Sequence, residues 1–201
     1  ERTMKNRIPR VLVLGLGKVG HLVAELLHAT GFQVTGADLE AGTGFPFATA
    51  AVDVSNPDQL DSVLQEYEGV ISCLPYWLNI GVARAAVATG THYFDLTEDV
   101  ATAREMVTLS ESSQAVVAPQ CGLAPGFVAI AGSFLAAKFS KIRSIKLRVG
   151  ALPKHPTGLL GYAFNWSPEG VVNEYLNDCE VIENGVRKWV SPMEWLEKIV
   201  I

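Results

Sequence analysis

Cysteine is scarce in this chain, and no paired arrangement of it exists. Cys73, Cys121 and Cys179 stand far apart with no C-x-x-C among them. An odd, scattered set of three excludes a disulfide framework and fits a reducing cytoplasm. Basic clusters are missing too. Lys and Arg number 16 against 21 Asp and Glu, a net charge of −5, which argues against nucleic acid or an anionic membrane as partner. No His, Cys and carboxylate spacing suggests a metal site, and neither repeats nor low-complexity tracts are present. Residues 1–10 carry basic side chains with no apolar stretch behind them, so they do not read as a signal peptide. Ser112 to Ala137 lacks Asp, Glu, Lys and Arg and is long enough for a bilayer span. Pro119, Gly122, Pro125 and Gly126 interrupt it, so strand, loop and buried helix is the expectation, with no membrane segment.

What is present is a compact globular composition, 49% hydrophobic and 18% charged over 201 residues. Its centre is Val11-Leu-Val-Leu-Gly15-Leu-Gly17-Lys18-Val19-Gly20-His21. Four apolar residues in a row read as a strand buried on both faces, and Leu22, Val23, Leu26 and Leu27 follow at helical spacing. The G-x-G-x-x-G between them has a physical logic. Gly15 permits the tight turn, Gly17 lets backbone approach a pyrophosphate, and Gly20 lets helix pack against strand. The N–H groups of Lys18, Val19 and Gly20 then face the phosphates at the helix N-terminus. Asp38 lies eighteen residues past Gly20, where such a fold sets an acid against the adenosine ribose. A carboxylate there repels a 2′-phosphate, and residues 39–46 contain no base, so NAD is expected over NADP.

Strands and helices then alternate. Strands are expected at Gln33–Ala37, Phe47–Val54, Gly69–Pro75, Thr91–Thr97 and Gln114–Ala118. Helices are expected at Asp58–Glu66, Leu78–Thr89 and Val100–Ser112, with another running to about Phe139. This order predicts a doubly wound parallel α/β sheet. Ligands bind such sheets outside the C-terminal strand ends, which singles out Asp38-Leu39, Asp53-Val54, Cys73-Leu74-Pro75, Asp95 and Gln120-Cys121. Asp53 reads equally as an adenine neighbour or a plain strand-end acid. Beyond Lys141 the character changes. Ser144–Val149 alternates apolar and charged, a half-exposed antiparallel strand. Ser167 and Pro168 start a helix, and Glu180–Val190 forms a hairpin around Asn184-Gly185.

The succession G-L-G-K-V-G, L-P-Y-W-L-N, Y-F-D-L-T-E-D, C-G-L-A-P-G, G-A-L-P-K-H-P, N-W-S-P-E-G, N-E-Y and I-E-N-G resembles the saccharopine dehydrogenase family over nearly the whole chain. It looks most like the lysine 6-dehydrogenase branch, which tends to have the A-P-G found at Ala124–Gly126. Saccharopine-forming members usually carry an acid at the Ala124 position and a histidine soon after Gly126. The resemblance implies a Rossmann domain, here residues 1–122, followed by the beginning of an α/β catalytic and dimerisation domain with a mixed or antiparallel sheet, residues 123–201. The family's later portion is missing, so the chain reads as C-terminally truncated. It further implies an NAD-dependent oxidoreductase that takes hydride from the ε-carbon of lysine and yields a semialdehyde. Two alternatives stand beside this: an imine reductase of the saccharopine or carboxynorspermidine dehydrogenase type, and a dinucleotide-binding fragment without turnover. A small amino-acid substrate, a cytoplasmic location and a homodimer formed through the second domain complete the expectation.

Catalytic candidates follow from position. Tyr76, just past the fourth strand, is open to two readings: a proton relay or substrate-orienting group, and a core or rim tyrosine. Asp95 is either a holder of the substrate amine or a helix-capping acid. Cys121 stands beside the expected nicotinamide position, although a small buried hydrophobe is the stronger reading. His155, with Lys154, reads first as part of a solvated loop, and Trp166 and Tyr175 as packing residues.

Overall fold

A computed structural model describes residues 9–150, 153–155, 157–159 and 168–194. The chain divides into two compact units, Glu1–Val149 and Gly150–Ile201.

The first unit is built on a six-stranded parallel sheet. Its strands are β1 (Arg10–Leu14), β2 (Gln33–Asp38), β3 (Ala48–Ala51), β4 (Gly69–Ser72), β5 (His92–Asp95) and β6 (Val117–Ala118). They lie in the order β3-β2-β1-β4-β5-β6. The chain moves outward from β1 in one direction, then crosses back to β4 and moves outward in the other. That reversal opens a crevice at the carboxyl ends of β1 and β4.

Both faces of the sheet are covered, as the unbroken apolar run of β1 demands. Successive side chains point to opposite faces, so Val11 and Val13 enter one core and Leu12 and Leu14 the other. The first core contains Ala24 of helix α1 (Lys18–Ala29), with Val34 and Phe47. The second gathers Leu60 and Leu64 of α2 (Pro57–Leu64), Val82, Ala83 and Ala86 of α3 (Tyr76–Thr89), and Met106 of α4 (Val100–Glu111). Leu12, Val13 and Leu64 are wholly buried, and truncating a leucine of this kind costs about 2–5 kcal/mol.

The helix ends obey local chemistry. Asn56 caps α2 by accepting from the Gln59 N–H, with Pro57 at the first position. Asp99 caps α4 through the Thr102 N–H at 2.7 Å. Gly90, at φ 75°, ends α3 in the left-handed conformation that a side chain resists.

From β3 onward the strands of this sheet are shorter than expected, the sixth shrinking from Gln114–Ala118 to Val117–Ala118, and two differences have a clear cause. The third strand is shortened to Ala48–Ala51, because Asp53 turns the chain by accepting from the N–H and hydroxyl of Ser55. Residues 144–149 form no strand, although Leu147 lies close against Gly132 of α5 (Phe127–Ala136). Alternation gives a strand its faces but not its partner, and none pairs with this segment among the described residues.

The second unit contains α6 (Pro168–Leu176) and the antiparallel hairpin β7 (Cys179–Glu183) and β8 (Val186–Val190). Asn184 and Gly185 both take positive φ, 53° and 79°, which is what a two-residue turn between right-twisted strands requires. Ser167 and Trp166 lie outside the described residues. Among the described residues, no helix is long and apolar enough to cross a membrane.

Candidate active site

The crevice is lined first by backbone. Gly15 leaves β1 at φ 87°, where its N–H donates to the Ala37 carbonyl at 2.8 Å. A side chain there would meet the Cys73 carbonyl at 3.1 Å. At Gly20 a Cβ would stand 1.8 Å from the Gly15 carbonyl oxygen, so only glycine lets α1 approach β1 this closely. Gly17 is the opposite case. A Cβ there would meet nothing within 4 Å and would project into open space.

That space faces the N-terminus of α1. Gly17 is the N-cap, no side chain caps the helix, and no acid occupies its first turn. The first N–H groups of a helix lack intrahelical acceptors and carry the positive end of its dipole. A diphosphate fits a cradle that glycine keeps open and that no side chain competes for. Lys18 and Val19 are exposed on this turn, and Lys18 adds positive charge. The turn formed by Gly15, Gly17, Lys18, Val19 and Gly20 thus has the room and the donors that a dinucleotide's diphosphate needs.

Asp38 ends β2 beside this cradle. Its Oδ2 accepts the Leu16 N–H at 2.7 Å and its Oδ1 accepts the Leu39 N–H at 2.8 Å. Each oxygen is thus tied to backbone, and the carboxylate braces the glycine loop against β2. Leu39 is strongly exposed. Asp53 is exposed too, held in its turn by Ser55 and pushed below the usual carboxylate range first by the Ser55 hydroxyl and then by the Ser55 N–H. Val54 is half-buried against the Leu12 core.

Across the crevice, the ends of β4, β5 and β6 form a different kind of site. Cys73 and Leu74 are half-buried and Pro75 is exposed. Burial, with the charge of Asp95 adding to it, pushes the Cys73 thiol up to about 12. Tyr76 opens α3 and is exposed, its ring edge-on to Trp77 at 5.4 Å. Neighbouring Ser72 is buried, its hydroxyl donating to Asn79 Oδ1 at 2.7 Å.

Asp95 has no exposed surface. Its Oδ2 accepts the Tyr93 hydroxyl at 2.8 Å, and its Oδ1 accepts the N–H groups of Thr97 and Gln120 at 3.0 and 3.1 Å. Its own carbonyl accepts the Cys121 N–H at 2.8 Å. Burial raises its pKa, while the Thr97, Tyr93 and Gln120 donors pull the other way. A carboxylate enclosed in this way offers no face to a substrate amine, so the role of amine holder expected for Asp95 does not match its geometry. The helix-capping reading fails as well, since Asp99 caps α4.

The residues that Asp95 holds are unusual. Gln120 has φ 63°, left-handed for a residue with a side chain, a conformation costing about 1–2 kcal/mol. Cys121 follows it, exposed, with its thiol 3.3 Å from the Ala118 carbonyl. Partial desolvation, then the charge of Asp95, raises this thiol, so it is not a ready thiolate. The turn closes through Gly126, at φ 136°, whose N-terminal neighbours Ala124 and Pro125 are joined by a cis peptide. A Cβ at Gly126 would strike the Gly122 oxygen at 2.2 Å. The sequence pointed to Gln120 by position but carried no sign of its backbone conformation or of the Tyr93–Asp95 pair beneath it.

Comparison with known proteins places these features in context. Residues 11–120 match the family model for the saccharopine dehydrogenase NADP binding domain, and residues 122–201 match that for the saccharopine dehydrogenase C-terminal domain. The chain is 27% identical over 192 residues to the saccharopine dehydrogenase [NADP(+), L-glutamate-forming] of Schizosaccharomyces pombe, covering 89% of this chain and 43% of that protein. It is also 27% identical over 190 residues to the mitochondrial alpha-aminoadipic semialdehyde synthase of Rattus norvegicus, covering 88% of this chain and 20% of that protein. The apo saccharopine dehydrogenase (L-Glu forming) of Saccharomyces cerevisiae shares the fold, with a TM-score of 0.62 at 24% identity over 91% of this chain and 44% of that one. The chain thus spans less than half the length of these relatives.

These matches correct the expected cofactor. The first domain model is NADP-binding, and the yeast relatives carry NADP(+) in their names, which overturns the preference for NAD drawn from Asp38. The physical reason lies in the two backbone bonds of that residue: an acid serving as a brace for the glycine loop is not by its presence a filter against a 2′-phosphate. With one model covering the cradle and the other continuing from Gly122, the chain belongs to the saccharopine dehydrogenase family.

Proposed function

We propose that this chain forms the dinucleotide-binding part of an NADP(H)-dependent oxidoreductase acting on the amine-bearing carbon of a lysine-pathway amino acid, of the saccharopine dehydrogenase type. The observation that carries the reading is the open space at Gly17 before the uncapped N-terminus of α1. Relatives named for saccharopine oxidation supply the substrate class. When bound, the nicotinamide exchanges hydride with that carbon. The α1 N–H groups hold the diphosphate, and Asp38 fixes the loop that presents them. The strand ends at Cys73-Leu74-Pro75 and Gln120-Cys121 flank the crevice, and exposed Tyr76 is the side chain best placed to orient substrate or carry a proton.

The test is a fluorescence titration with NADPH and NADH, followed by a spectrophotometric assay of saccharopine and L-lysine with the oxidised cofactors NADP(+) and NAD(+). NADPH binding in the micromolar range and cofactor reduction with saccharopine are expected. Turnover of L-lysine alone would favour the lysine 6-dehydrogenase reading, which the Ala124-Pro125-Gly126 run supports. Binding without turnover on either substrate would leave a dinucleotide-binding unit, and absence of NADPH binding would overturn the proposal.

A further inference from the structure

We infer that Asp95 is a positioning residue: its buried carboxylate holds the Gln120–Cys121 turn in its left-handed conformation at the edge of the crevice, and the neutral amide of asparagine would do the same. The inference rests on the proposed oxidoreductase reading for its kinetic consequence but not for its structural one.

The argument starts from the backbone. Gln120 at φ 63° is strained, and a strained residue persists only where its surroundings over-determine it. Two bonds do so here, both from the same residue: the Gln120 N–H to Asp95 Oδ1 and the Cys121 N–H to the Asp95 carbonyl. Asp95 is itself fixed from beneath by the Tyr93 hydroxyl, which also lies 3.3 Å from the Asn79 carbonyl of α3. The Thr97 N–H locks the same carboxylate oxygen from the chain's exit side. The Tyr93–Asp95 pair thus joins the end of β5, the body of α3 and the turn after β6.

The chemistry needed of Asp95 is acceptor geometry. Oδ1 accepts two backbone N–H groups, which an amide oxygen also does. Oδ2 meets a hydroxyl, which is donor or acceptor as required. An asparagine would give its NH2 to Tyr93 Oη, and the tyrosine proton would turn to the Asn79 carbonyl. A residue that held a substrate ammonium, or moved a proton, would need the carboxylate itself.

The experiment compares D95N, D95A and D95A/Q120G in this protein. Readouts are hydrogen exchange at residues 120–121, NADPH affinity, and kcat and KM measured separately. D95A is expected to lose amide protection at the turn and to lower kcat about 100-fold, the scale of a 1 Å misplacement. Its NADPH affinity should stay within about threefold, because the glycine cradle is built without Asp95. D95N should restore protection and most of kcat. Adding Q120G to D95A should recover part of kcat, since glycine takes positive φ without a brace. If D95N is as impaired as D95A, the charge itself acts and the inference fails. If D95A keeps amide protection at Gln120, the brace does not exist. Should no substrate turn over in the wild type, the oxidoreductase reading fails while exchange in D95A and D95N still decides the brace. If D95A does not fold, D95N together with Q120G alone decides: normal protection in both supports the inference, and its loss in D95N overturns it.

Discussion

The two banks of the crevice solve one problem, holding a loop still beside a ligand, with opposite materials. On the β1 side the loop is made of glycines and opens toward solvent, its shape set by backbone contacts between Gly20 and Gly15. On the β5–β6 side the turn rests on a buried carboxylate with three donors and carries a strained glutamine. The first bank leaves room for a ligand where Gly17 has no side chain. The second fixes the Gln120–Cys121 turn at the edge of the crevice, where the proposed function would set the ligand's reactive end. The difference suits their tasks, since phosphate binding uses repeated N–H groups whereas reaction needs particular side chains at particular places.

The comparison is broken most severely at Gly20. An alanine there places its Cβ 1.8 Å from the Gly15 carbonyl, a backbone atom with no freedom to move aside. G20A should destabilise the first unit by about 3 kcal/mol, measured by urea unfolding, and abolish NADPH binding with it. Stability within about 0.5 kcal/mol of wild type would show that α1 is not seated on β1 as described here.

Gly17 separates binding from folding on the same bank. Its φ of −65° suits any residue, and a Cβ there touches no protein atom. Alanine is a poorer N-cap than glycine but restricts the unfolded chain more, so the two effects offset and G17A should unfold within about 0.5 kcal/mol of wild type. The methyl would occupy the space assigned to the diphosphate, so NADPH affinity should fall at least about tenfold, or 1.4 kcal/mol. Unchanged affinity in a fluorescence titration would move the phosphate site elsewhere.

The two banks also differ in how legible they were. The cradle lies within residues 15–20, where glycine spacing, an apolar strand before and an amphipathic helix after carry the whole signal. The capped start of α2 at Asn56-Pro57 and the turn at Asn184-Gly185 were legible for the same reason, because local chemistry decides them. Asp38 ends β2, as its spacing from Gly20 predicts, but the NAD preference drawn from it does not hold. Its spacing from Gly20 located it, and only coordinates show its oxygens on the Leu16 and Leu39 N–H groups. The β5–β6 bank depends on pairs distant in sequence: Asp95 and Gln120 are 25 residues apart. Nothing in Pro119-Gln120-Cys121 announces a positive φ at a glutamine. Residues 144–149 show the same limit from the other side, since their alternating pattern specifies two faces but cannot supply a neighbouring strand.

The smallest effect sharpens the comparison through charge. The α1 side presents positive dipole to an incoming anion, whereas the β5 side encloses a carboxylate whose hydrogen-bond partners, among the described residues, include no cation. Burial is the largest influence on Asp95 and raises its pKa against the pull of its donors. A carboxyl with a raised folded-state pKa binds its proton more tightly folded than unfolded. Its contribution to stability is full below the ordinary carboxylate range and is lost as pH rises through the raised value. Asparagine has no such proton. Urea unfolding of wild type and D95N at several pH values should therefore show wild type losing ground to D95N across that window, with the difference flat above it. A difference running the other way would mean that the Tyr93, Thr97 and Gln120 donors outweigh burial and that the ionised form is the one the fold prefers. The turn at Gln120 would then be held by charge as well as by geometry, and the two banks would be more alike than their residues suggest.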